Sequence, residues 1–403
     1  MESIPLRLKE RVKNLNPPFY IVDIPALNSA LLAAKDLGSG LGIKYAYSYK
    51  TNYLRPICQH LDSQGIYAEV VSPFEVDITH KYGISPDRVV YNGPVKDKPS
   101  IFYVLSGGGL VNADSIDDLG MIIEVANHIN KTRLRVGLRV SFPISGIRSS
   151  RFGIDAFSND IHNALESINK CTKIKLACLH CHFPNRDPES FFMRLEQIAK
   201  VLDLLEIDFE IIDIGGGLPS KLHSEVAAQL GIDKVDYNQF RHSIEQGIQL
   251  LKQRTHATIF MEPGTMLAAN TVHLLASVRS VKLNQGHTYY TLDVSRTNIG
   301  GIKQSISFPH IVFDREQLST PNTNQSLVGF TCVEGDVLGN THYKSLHRGD
   351  LILFSSIGSY STVFKSPFIN GDLPVYTWDG DELHLSRRQQ TVTDVLACDI
   401  ISL

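Results

Sequence analysis

A lysine, a histidine, a glycine triplet and a glutamate, each placed where a strand-like segment runs out, are the chemically informative residues of this chain. Lys50 ends Lys44-Tyr45-Ala46-Tyr47-Ser48-Tyr49-Lys50, whose alternation predicts a half-buried strand, and the helix-entry pair Thr51-Asn52 follows. A lysine at a strand end, held away from bulk water, can have its pKa lowered and act as an amine nucleophile that forms a Schiff base. The plain alternative is a surface lysine. His182 ends a strand-like run over 173–182 in aromatic surroundings and could stack on a flat heterocycle. The other reading is a hydrogen-bonded structural histidine. Asp213-Ile214-Gly215-Gly216-Gly217 closes the next run, where the glycines either let backbone amides hold an anion such as phosphate or simply turn the chain. Glu262 emerges from a buried run over 257–262. A lone carboxylate there is costly unless it meets a partner such as a cationic aromatic nitrogen.

Two other patterns carry less. Cys178-Leu179-His180-Cys181-His182 contains a C-x-x-C with two histidines, but residues three apart on a strand face opposite sides, and no second pair completes four ligands, so no metal is expected. Gly107-Gly108-Gly109 follows an apolar helix and reads as a helix stop.

The elements that must position these residues alternate in type. Strands are predicted over 44–50, 66–71, 88–91, 110–113, 133–140, 173–182, 209–214 and 257–262. Helices such as 53–64, 73–82, 116–129, 187–205 and 237–253 fall between them. Eight strands with intervening helices imply an α/β fold, a (βα)8 TIM-type barrel, here over 25–270, with chemistry at the carboxyl ends of the strands. After 271 short strands joined by turns replace helical periodicity, over 272–283, 287–294, 326–331, 350–355 and 374–379. Asp379-Gly380 is a hairpin-type dipeptide. Residues 271–403 therefore read as a mainly β domain, completed by residues 1–24, with 298–321 an irregular loop near the site or a dimer interface.

With 403 residues, 43% apolar and 20% charged, the composition is that of an ordinary soluble protein. The net charge of −3 gives no reason to invoke nucleic acid or an anionic membrane, and no apolar run approaches the roughly 18 residues of a spanning helix. The amino terminus lacks a signal-peptide core, and six scattered cysteines do not make a disulfide framework, which reads as a cytoplasmic protein with reduced thiols.

Lys50, His182, Gly215–Gly217 and Glu262-Pro263-Gly264, in this order and spacing, resemble the fold-type III pyridoxal-phosphate decarboxylases, which include diaminopimelate, ornithine, arginine and carboxynorspermidine decarboxylases on an alanine racemase-like barrel. Supporting pieces are Ala68-Glu69-Val70-Val71-Ser72, Val90-Tyr91-Asn92-Gly93-Pro94-Val95-Lys96, Ser150-Arg151-Phe152-Gly153-Ile154, Cys332-Val333-Glu334-Gly335-Asp336, Gly358-Ser359-Tyr360 and Phe368-Ile369-Asn370-Gly371. The resemblance implies that Lys50 carries pyridoxal 5'-phosphate as a Schiff base. It also implies that Glu262 keeps the pyridine nitrogen protonated, that His182 stacks on the ring, and that Gly215, Gly216, Gly217 and Tyr360 bind phosphate. Cys332 would reach a neighbouring subunit's site and protonate the carbanion, so a homodimer with shared sites is expected.

The chain departs from that pattern twice. Thr265 stands where the family's Glu-Pro-Gly-Arg has an arginine on the phosphate, leaving the glycines, Tyr360 and Asn185 to hold it. Val333 follows Cys332 where ornithine and diaminopimelate enzymes carry an acid that grips the substrate's far amine, so the chain looks closer to the carboxynorspermidine type. Glu334 or Asp336 could contact a distant amine, and Arg148, Arg151, Arg296 and Lys303 could bind carboxylates. The leading expectation is a decarboxylase of an amino-acid-like small molecule in polyamine, siderophore or other specialised biosynthesis. Diaminopimelate or ornithine decarboxylation, a racemase on the same barrel and a silent homologue acting as a binding regulator are the alternatives.

Overall fold

The computed structural model describes residues 6–12, 15–146, 148–221, 229, 235–300, 307–318, 324–341, 343–364 and 367–399. The chain divides into two compact units. One comprises Leu31–Pro219 with Asp236–Met266, and the other Met1–Ala30, Ser220–Val235 and Leu267–Leu403.

The first unit is a closed barrel of eight parallel strands, Lys44–Ser48, Tyr67–Val70, Val89–Tyr91, Leu110–Ala113, Leu134–Ser141, Ile174–His180, Ile211–Asp213 and Thr258–Met261, each hydrogen-bonded to the next. The last closes on the first, with Phe260 opposite Lys44 and Met261 opposite Tyr45. The (βα)8 expectation is met strand for strand. Side chains alternate along a strand, so every second residue points into the barrel. The inward layer of Ala46, Tyr67, Val90, Leu110, Cys178, Ile211 and Phe260 is a packed apolar core. Two residues further along each of those strands lies a buried polar residue: Ser48, Glu69, Asn92, Asn112, His180, Asp213 and Glu262. The barrel thus fills with hydrocarbon below and with hydrogen-bonding groups at the carboxyl ends, where chemistry is placed in this architecture. The fifth strand leaves room for the polar layer, because a Cβ at Gly137 would lie 1.9 Å from Asn112 Oδ1.

The helices between strands start as their caps dictate. Ser72, Asp97, Ser115 and Asp187 each accept a backbone N–H of the first turn of Pro73–Tyr82, Lys98–Ser106, Ile116–Asn127 and Pro188–Leu205. Among the described residues no helix is long and apolar enough to cross a membrane.

The second unit is a nine-stranded mixed sheet. Its amino-terminal strand Phe19–Asp23 pairs antiparallel with Val272–Asn284 and parallel with Val375–Trp378, so the start of the chain completes a sheet built from its end. Leu8, Val12, Phe19, Ile21, Leu275, Phe313, Leu353 and Trp378 form its core. Residues 298–321 were expected to be irregular throughout. His310–Val312 instead forms a strand, antiparallel to Leu351–Phe354, because Val312 finds a buried place beside Ile352.

Candidate active site

Lys50 does not end the first strand. That strand stops at Ser48, and Lys50 sits in the following 3-10 turn, Tyr49–Thr51. The turn is held close by Gly264, where a Cβ would lie 2.2 Å from Thr51 Oγ1. From there Lys50 Nζ donates to Glu69 Oε2 at 2.6 Å and lies 3.3 Å from Ser48 Oγ, which itself donates to Glu69 Oε2 at 2.5 Å. The expected lowering of the Lys50 pKa is reversed. Burial pushes the ammonium down, but the charges of Glu69 and then Glu262 hold it above its ordinary value.

Polar groups continue across the barrel mouth. Asn92 Nδ2 donates to Glu69 Oε1 at 3.1 Å and to Glu262 Oε1 at 2.5 Å, and Asn112 Nδ2 donates to Asn92 Oδ1 at 2.8 Å. One amide therefore ties the carboxylate beside Lys50 to the carboxylate that follows the strand on the other side of Lys44–Ser48. Glu262 follows the last strand, with His180 Nε2 3.5 Å from its Oε2. Burial pushes the Glu262 carboxyl up, yet His180 and Lys50 together bring it below the usual carboxylate range. Asp213 moves the other way: burial and the adjacent Glu262 charge push its carboxyl well up. His180, Asp213 and Glu262 offer ligand atoms within 4.8 Å of one another, the arrangement of a metal site.

His182 lies two residues past the end of its strand. Its Nδ1 accepts the Gly216 N–H at 3.1 Å, which leaves the other ring nitrogen to carry the proton. Burial, with Lys50 next, pushes the imidazole well below its usual pKa, so the ring is neutral. The glycine loop has no room for side chains. Gly215 has φ +69° and a Cβ there would lie 2.4 Å from Cys181 O, while a Cβ at Gly216 would lie 2.6 Å from Glu262 O. Asp213 Oδ1 accepts the Gly215 N–H at 2.9 Å. The two cysteines of the C-x-x-C are buried neutral thiols, burial raising Cys178 well above its ordinary pKa and Cys181 to about 12.

The structure thus brings together Lys50, His182, Gly215–Gly217 and Glu262. It adds Glu69, Asn92, His180 and Asp213, for which the readable signal is a polar residue two places beyond an inward apolar one. Asn185 is partly exposed three residues past His182, its carbonyl oxygen 2.9 Å from where a Gly217 Cβ would stand. Arg151 is exposed and lies over Phe152 at 4.0 Å.

The remaining candidates belong to the sheet unit. Cys332 and Glu334 are exposed in the turn before Val337–Asn340. Asp336, expected to reach a distant amine, is buried and accepts the Arg296 N–H at 2.7 Å and Thr331 Oγ1–H at 2.5 Å. Its carboxylate is engaged in bracing its own turn. Tyr360 has φ +64° with its ring 5.7 Å from that of Phe364. The hydroxyls of Ser359, Ser361 and Thr362 beside it are buried without a hydrogen-bond partner. Lys303 lies outside the described residues.

An amine beside a carboxylate, a second buried ionised carboxylate, a neutral imidazole and a side-chain-free loop suit a cofactor with an aldehyde, a basic ring nitrogen and a phosphate. The comparisons agree. The family model described as pyridoxal-dependent decarboxylase, pyridoxal binding domain, matches residues 28–269. Diaminopimelate decarboxylase of Neisseria meningitidis serogroup B is 24% identical over 96% of this chain and 94% of its own length. The crystal structure of diaminopimelate decarboxylase from M. jannaschii superposes with a TM-score of 0.87 at 20% identity, covering 97% of this chain and 94% of that one. That of the Helicobacter pylori enzyme complexed with L-lysine gives 0.81 at 21% identity, covering 97% and 98%. With the model matching well over half of its length, this chain belongs to the pyridoxal-dependent decarboxylases, lyases whose cofactor is pyridoxal phosphate.

Proposed function

We propose that this protein removes the carboxylate next to the amine of an amino-acid-derived substrate, with a carboxynorspermidine-like or other specialised biosynthetic intermediate favoured. The observation that carries the reading is the hydrogen-bonded chain Lys50–Glu69–Asn92–Glu262, which joins an amine to a buried, ionised carboxylate at one barrel mouth. The glycine loop packs directly on the site, since a Cβ at Gly215 would lie 2.4 Å from Cys181 O and one at Gly216 2.6 Å from Glu262 O, so only glycine brings this backbone against His182 and Glu262. Pyridoxal phosphate supplies an aldehyde that captures amines and a ring that takes up the electron pair left as CO2 departs.

The residues of the chain do the rest. Lys50 Nζ would join the aldehyde carbon with the carbonyl oxygen leaving as water, and Glu69 Oε2, hydrogen-bonded to Nζ, would take up the proton that the amine loses first. Glu262, held ionised by its neighbours, would keep a proton on the ring nitrogen and so favour electron uptake. A racemase would do better without that proton. His182 offers the face of a neutral imidazole, and the Gly217 amide would orient the phosphate, those of Gly215 and Gly216 being donated to Asp213 and His182. Cys332, exposed on the sheet unit, would come from a neighbouring subunit and deliver a proton to the carbon that has lost CO2. Exposed Val333, Phe364, Phe368 and Ile369 on the sheet unit support a covered surface and a homodimer.

Val333 cannot grip a distant amine, and Asp336 is engaged elsewhere, which supports a substrate other than plain ornithine or lysine. Diaminopimelate is the second reading, favoured by the names of the relatives. The test is CO2 release from purified protein with pyridoxal phosphate and a panel of L- and D-basic amino acids, meso-diaminopimelate and carboxynorspermidine-like compounds. Release from one compound with a shift of the visible absorbance band is expected. A band that no compound perturbs, with no CO2, would contradict decarboxylation of this class of substrate.

A further inference from the structure

Arg194 is a buried cation without a carboxylate. It lies on the helix Pro188–Leu205 with none of its surface exposed. Its Nη1 donates to Ile214 O at 2.9 Å and Gly216 O at 3.0 Å, while Nε and Nη2 have no hydrogen-bond partner. The guanidinium lies over Phe191 at 4.4 Å and Phe183 at 5.7 Å. Other buried cations of this barrel are paired: Lys96 with Asp118 at 2.5 Å and Arg139 with Asp114 at 2.9 Å. Among the described residues no acidic group stands within ion-pair distance of Arg194. A buried charge without a counter-ion is costly unless an anion arrives with the ligand.

The place of that charge says which anion. Nη2 is 3.7 Å from where a Gly217 Cβ would stand, so the guanidinium backs directly onto the glycine loop. By holding the Gly216 carbonyl, Arg194 fixes a planar trans peptide whose N–H, on Gly217, points to the opposite side. Thr265 brings no charge to this region. Resting on the reading of the loop as the phosphate site, we propose that Arg194 is a positioning residue that stabilises the cofactor's phosphate from behind the loop, through its charge and through the peptide it orients.

The experiment compares binding of pyridoxal phosphate with binding of pyridoxal, which lacks the phosphate, to cofactor-stripped protein by absorbance titration. Arg194→Gln should weaken pyridoxal phosphate about tenfold or more while leaving pyridoxal within about twofold. Inorganic phosphate should raise the melting temperature of wild type and not of the variant. A brace without an electrostatic role would weaken both ligands alike, and an unchanged ratio in folded Arg194→Gln overturns the proposal. If that variant does not fold, Arg194→Lys decides. It keeps the charge, so a preserved preference for the phosphorylated ligand supports the proposal and its loss overturns it. Wild type that binds neither ligand would instead overturn the cofactor-site reading on which the proposal stands.

Discussion

At the scale of single residues, the site is an arrangement of charges that control one another. Lys50 must be neutral to attack an aldehyde, yet Glu69 at 2.6 Å holds it protonated. An opposite charge favours the charged form of its neighbour, so removing Glu69 lowers the Lys50 pKa. In Glu69→Gln, the pH at which the amine becomes reactive should fall, read from the rate of pyridoxal phosphate capture against pH. An inflection at the wild-type pH would contradict the pairing. Lys50, His182 and Glu262 were legible in the sequence because each is an unusual residue type at the end of an apolar run. Glu69, Asn92, His180 and Asp213 were harder to read. They lie inside or directly after short strands, and only the closed barrel turns them toward the same space. The layer rule that finds them, a polar residue two places past an inward apolar one, needs the facing of every strand to be known first.

At the scale of elements, the eight strands were legible with their order, and the helix Pro73–Tyr82 with its ends, because Ser72 and Gly83 mark them. The turn holding Lys50 was not, since the alternation runs on through Tyr49 while the backbone curls at Ser48 to meet Gly264. Val312's short strand was also hidden, its partner being some forty residues away in sequence. The start of the helix Pro73–Tyr82 carries its own pH lever. Glu75 is buried, its Oε2 accepts the Val71 N–H at 2.7 Å, and burial pushes its carboxyl up to about 7. The unfolded chain releases that proton near its ordinary value of about 4.3. Glu75 therefore favours folding fully below that pH, and progressively less as the pH rises to about 7. Glu75→Gln, which cannot ionise, should gain on the order of 3 kcal/mol relative to wild type between about pH 4 and about pH 8. Unfolding midpoints across that range give the measurement, and a difference independent of pH would contradict the burial argument.

At the scale of the whole molecule, the amino-terminal strand was legible as a part of the later sheet, but the substrate was not. Glu334, proposed to meet the substrate, is exposed, and no contact among the described residues assigns it a ligand. The proposed sharing of sites between subunits makes a specific prediction. Lys50→Ala and Cys332→Ala should each be inactive alone, and mixing them under subunit exchange should restore part of the activity in the dimers that carry one intact pair. Demonstrated exchange with no recovery would argue for sites complete within one chain. The most direct measurement is to incubate purified protein with pyridoxal phosphate, reduce with borohydride and map the modified lysine by mass spectrometry. Lys50 should carry the pyridoxyl group, and Lys50→Ala should remain unlabelled and lose the visible absorbance band. Labelling at another lysine, or a band and turnover that survive in Lys50→Ala, would contradict the site as assembled from Lys50, Glu69 and Glu262.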